Sequence, residues 1–83
     1  MGMMINGEWV ADLEAMTCRN FANKIIVALE KRGKGFAGKI EDIPMEILEK
    51  WAGSLDGPRL MQKTVLEAEE AFMQAYYQIT DNK

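Results

Sequence analysis

Residues 11–32 read ADLEAMTCRNFANKIIVALEKR, and the spacing of their apolar side chains decides the kind of fold to expect. Leu13, Met16, Thr17, Phe21, Ile25 and Ala28 or Leu29 succeed one another at steps of three and four, with Cys18, Ala22 and Ile26 widening the stripe. That is the spacing of one face of an α-helix. Lys31 and Arg32 complement the negative end of a helix dipole, and Gly33 is a natural residue just past a helix end. The pattern predicts a first helix from about Ala11 to Arg32, with Thr17 as an alternative start.

Glycine and proline divide the rest of the chain. Gly33, Gly35 and Gly38 make helix costly over residues 33–39 and predict a loop. Pro44 suits the first turn of a short second helix ending near Ala52, before Gly53, with Met45, Ile47, Leu48 and Trp51 as its apolar side. Ser54 to Pro58 is a second break. From Pro58 to about Ile79, the residues Met61, Val65, Ala68, Phe72, Ala75 and Ile79 recur at intervals of 4, 3, 4, 3, 4, the seam of a heptad helix. Residues 1–10 lack helix signals. Asn6-Gly7 could turn a tiny hairpin there, but with no obvious partner strand later in the chain the segment reads as a flexible or packed arm. The expected fold is one all-α domain over residues 1–83, two long helices flanking a short one, with its thin core completed by dimerisation.

Composition narrows the functions. The 83 residues include one cysteine, Cys18, and no histidine. A disulfide within the chain is excluded, a zinc site is disfavoured, and the usual general base near neutral pH is absent. Cys18 lies on the apolar stripe beside Phe21 and Ala22 with no activating base nearby in sequence, the position of an inert thiol rather than a nucleophile. Glu46 with Glu49, and Glu67 with Glu70, are helix-surface spacings that lack the histidine of a di-iron motif. No catalytic residue, metal or cofactor is expected. The start has no basic and apolar export signal, residue 6 is Asn where myristoylation wants Ser or Thr, and no apolar run approaches a membrane span. The expectation is a cytoplasmic protein that does not engage membranes.

Residues 33–39, GKGFAGK, match the front of a phosphate-binding loop. Such a loop must leave a strand and open a helix, and Ile40 stands where a magnesium-binding Ser or Thr belongs. Charge is more informative: residues 19–39 carry six bases against Glu30 alone, while residues 40–83 carry nine acids against four bases. Lys31, Arg32, Lys34 and Lys39 are therefore candidate contacts for an anion or nucleic acid. The net charge of −3 favours neutralisation within the molecule instead. A helix-turn-helix laid over helices two and three has a long turn, and Glu67, Glu69 and Glu70 would face phosphate.

Helix three also carries Leu60, Leu66, Met73, Tyr76 and Tyr77 outside its seam, and the chain holds seven methionines, a composition suited to adaptable interfaces. Met61, Val65, Phe72, Met73, Tyr76 and Ile79 are accordingly the candidate partner or dimer interface. The functional expectation is a non-enzymatic interaction or regulatory protein, acting as a homodimer or as a subunit of a complex. The alternative is a nucleic-acid-binding regulator using residues 19–39.

Overall fold

The computed structural model describes residues 3–81 and the side chains of residues 7–78. Five strands come first: β1 (Met3–Asn6), β2 (Trp9–Asp12), β3 (Thr17–Asn20), β4 (Ile26–Arg32) and β5 (Gly35–Asp42). Two helices complete it, α1 (Met45–Ala52) and α2 (Gly57–Asp81). The strands form one antiparallel meander in the order β1-β2-β3-β4-β5. The chain is thus an α+β protein. The all-α three-helix bundle is overturned because residues 11–32, expected as one helix, run through three strands, and residues 33–39, expected as a loop, are a turn and most of β5. The residues expected as an arm contain β1 and the start of β2. The second and third expected helices coincide closely with α1 and α2.

The helical spacing has a physical origin in the turns. Asp12 closes β2, and its Oδ1 accepts hydrogen bonds from the N–H groups of Glu14 and Ala15. Asn20 closes β3, and its Oδ1 accepts from Ala22 and Asn23. Such Asx turns reverse the chain without glycine. Each then leaves through a left-handed residue, Met16 with φ 57° after Asp12 and Lys24 with φ 66° after Asn20. The strand-and-turn unit therefore repeats every eight residues. Two helical turns take 7.2 residues, so apolar residues recurring at this repeat imitate a helix. The β4–β5 hairpin uses a different device: Arg32 pairs with Gly35 across two residues, and Gly33 has φ 60°, the glycine-first form of a tight hairpin.

The core lies between the sheet and α2. Trp9, Ala11, Cys18, Val27, Leu29 and Phe36 point from one sheet face onto Ala68, Ala71, Phe72 and Ala75 of α2. Phe72 is fully buried and meets Phe36 edge to face, ring centroids 5.0 Å apart. Alanines in three of the helix's contact positions let it lie close to the strands. Where it crosses β5, residue 38 has no side chain. A Cβ there would sit 3.0 Å from Val27 Cγ1 and 3.1 Å from both Val65 Cγ1 and Glu69 Cγ. The carboxylate of Glu69 also accepts the N–H of Gly38 at 2.7 Å, satisfying a donor on an edge strand that would otherwise invite pairing. Valine is the better strand former, yet Gly38→Val should destabilise the protein by about 2 kcal/mol through overpacking. Urea unfolding measures this, and an unchanged or raised midpoint would refute the close-approach account.

Candidate functional site

Side chains alternate across a strand, so a sheet covered on one face presents a second set on the other. Among the described side chains that set is Val10 and Asp12 from β2, Thr17 and Arg19 from β3, Ile26, Ala28, Glu30 and Arg32 from β4, and Ala37, Lys39 and, opposite Ile26, Asp42 from β5. Their inward neighbours Ala11, Cys18, Val27, Leu29 and Phe36 are buried, whereas Val10, Thr17, Ile26, Ala28 and Ala37 remain partly exposed. Both helices and their linker belong to the other side of the molecule or its end, and among the described residues nothing covers this open face. An antiparallel sheet tolerates one solvated face, but a run of valine, isoleucine and alanine is not what water alone selects.

The register arranges these residues in rows. Val10 pairs with Arg19 and Arg19 with Ile26. Asp12 pairs with Thr17, Thr17 with Ala28, and Ala28 with Lys39. Glu30 pairs with Ala37. Charges of both signs therefore surround a small-residue centre. Glu30 and Arg32 already neutralise each other through hydrogen bonds of 2.9 and 3.2 Å, both side chains remaining 70% exposed. Lys39 has no acidic partner within ion-pair distance among the described residues.

The residues expected from sequence as an interface or anion site lie elsewhere or apart. Phe72 is in the core, Tyr76 packs on Phe36 at 5.2 Å, and Val65 borders Gly38. Met61 and Met73 are partly buried on the same helix, and the side chain of Ile79 lies outside the described residues. Val65, Ala68, Phe72 and Ala75 of the heptad seam thus face the chain's own sheet. Of the four cations, Lys31 sits on the helix-facing side with Nζ 5.4 Å from the Tyr76 ring centroid. Lys34 occupies the hairpin turn, where its carbonyl accepts the Tyr77 hydroxyl at 2.8 Å. Arg32 and Lys39 share the open face. The four do not converge on one ligand position.

Two shallow cavities flank α2. One of about 270 Å³ lies against the β1–β2 turn, with Glu8, Trp9, Glu67 and Glu70 on its wall. The other, about 340 Å³, runs beside the start of β5 and is lined by Phe36, Leu66, Glu69 and Met73. Neither brings together a nucleophile and a base. Among the described residues no group of three metal-ligating side chains converges, and no helix is long and apolar enough to cross a membrane. Comparison with protein-family models, curated proteins and solved structures gives no match. The open face carried a legible signal in β5, where Phe36 and Ile40 alternate with Ala37 and Lys39. The glycines at 35 and 38 masked it.

Cys18 has no solvent exposure, and burial pushes its thiol up to about 12. Below about pH 9 the thiol is neutral folded or unfolded, so it adds no pH dependence. Between about 9 and 12 the unfolded thiol ionises while the folded one keeps its proton, so stability falls as pH rises. Whatever advantage the wild type holds over Cys18→Ala at pH 7 should therefore shrink at pH 10, as paired denaturant titrations would reveal. Alkylation of the native thiol should proceed only through unfolding.

Proposed function

We propose that this chain is a non-catalytic interaction protein, a small regulatory or structural subunit that docks through the open face of its sheet. The carrying observation is that Ile26, Ala28 and Ala37 form an apolar strip that no described residue covers, with Val10 across Arg19 from it and charges of both signs around it. Interfaces have this anatomy of an apolar centre within a polar rim. The scaffold behind the strip is fixed by α2, so the face is preorganised and needs little ordering on contact.

Arg19, Arg32 and Lys39 on the same face favour a second reading, nucleic-acid binding by the 19–39 segment. Asp12 and Glu30 stand among those cations, and no aromatic ring among the described side chains of this face offers a base a stacking surface. A protein partner suits the strip better.

Ile26→Glu places a charge at one end of the strip without entering the core. It should leave the circular dichroism melt nearly unchanged and abolish association, whether with another copy or with a partner from the native source. Leu66→Glu, on the outer side of α2 where Leu66 is 55% exposed, should leave association intact. The reverse result would move docking to the helix side and refute the reading. Oligonucleotide binding that declines with salt and is lost in Arg19→Ala with Lys39→Ala would establish the second reading instead.

A further inference from the structure

Resting on the open face as the docking surface, we infer that its occupant is a second copy of this chain, packed sheet to sheet about a two-fold axis running along the strands between β3 and β4. The ground is the row Asp12, Thr17, Ala28, Lys39, which crosses the sheet from β2 to β5. Its ends carry opposite charges and its two middle residues are small. A two-fold axis along the strands through the middle of that row exchanges β2 with β5 and β3 with β4. Asp12 of each copy then faces Lys39 of the other, and Thr17 faces Ala28. An isologous interface demands this self-complementarity, in which residue i meets j and j meets i.

The neighbouring row agrees. That row is Val10, Arg19, Ile26 and Asp42. The same rotation lays the aliphatic stem of Arg19 on Ile26 of the other copy, a burial that leaves the guanidinium at the rim, and sets Val10 opposite Asp42 at the margin. Three strand spacings separate Asp12 from Lys39, about 14 Å, so the two ion pairs fall at the margins while small residues occupy the centre. Small central residues are what two sheets need to approach to about 10 Å face to face. Asp12 is also held in place, because its Oδ1 is engaged by the turn N–H groups of Glu14 and Ala15. Glu30 and Arg32 pair within each chain and bring no net charge to the contact. A nucleic acid would meet Asp12 and Glu30 repulsively. An unrelated partner has no reason to mirror the antisymmetry of the row.

Sedimentation equilibrium on the full chain tests this. The wild type should self-associate, and Lys39→Glu should weaken the dimer at least about tenfold by opposing it to Asp12 of the other copy. Asp12→Lys should do the same by opposing Lys39. An equimolar mixture of the two variants should recover wild-type affinity, because every cross-pair in the mixed dimer is again of opposite sign. Asp12→Lys also removes a turn acceptor. Asp12→Asn in the Lys39→Glu background therefore serves as a second route: it keeps the acceptor, removes the repulsion, and should regain part of the affinity. A wild type that stays at 9.4 kDa at millimolar concentration overturns the inference. So does a Lys39→Glu variant that dimerises like the wild type, or a mixture no tighter than its components. If the wild type is a monomer but Ile26→Glu loses a different partner, the docking reading stands and the second copy does not.

Discussion

Gly38 lies where α2 crosses β5, and its missing side chain sets how near the two layers come. With Val27, Val65 and Glu69 all within about 3 Å of where a Cβ would be, one extra carbon at that point would force these side chains to give way. Phe72 is the residue with most to lose, because it fills the space between the layers and its ring meets Phe36. Full burial of such a side chain is worth about 1.5–3 kcal/mol, a large fraction of what a domain of this size can hold in reserve. The carboxylate of Glu69 adds direction, since its hydrogen bond to Gly38 ties one helix position to one strand position. Neither layer could stand alone. The sheet's two middle connections are Asx turns rather than disulfides, and α2 has an apolar stripe that must be covered.

That stripe explains why part of the fold is legible in the sequence and part is not. α2 has one dominant signal, the 4, 3, 4, 3, 4 spacing from Met61 to Ile79, and α1 has Pro44 before it and Gly53 after it. Both helices are local objects, specified by periodicity and end residues. The strands are short, and the turns that join β2 to β3 and β3 to β4 lack the glycine or proline by which turns announce themselves. Asp12 and Asn20 supply the turn chemistry through their side chains, and Met16 and Lys24 take left-handed backbone although nothing in their type advertises it. A repeat of eight residues then supplies apolar spacing close to helical. The heptad seam does mark a surface that needs cover, and from Val65 to Ala75 its cover is the chain's own sheet.

The charge segregation is equally visible in the sequence, and the strands redistribute it. Along the chain the basic block from Arg19 to Lys39 looks like one patch, because a helix and a loop would keep it together. A strand divides its residues between two faces. Lys31 therefore turns toward Tyr76, Arg32 turns away to Glu30, and Lys34 stays at the hairpin tip. Dispersal lowers the field at any one point and removes the main argument for a phosphate site. It also mixes signs on the open face, where acids from β2 and β4 join bases from β3, β4 and β5.

A sheet with one covered face is half of a sandwich, and its open side states what kind of second layer would fit. The inner face, which packs against α2, carries the large side chains Trp9, Leu29 and Phe36. The outer face offers Thr17, Ala28 and Ala37 at its centre, with the bulk of Val10 and Ile26 to one side. Small residues on a flat pleated surface suit another pleated surface. The antisymmetry of the Asp12 to Lys39 row adds that the second surface should carry the same row reversed. A second copy of the chain has that row by construction, with no further sequence required.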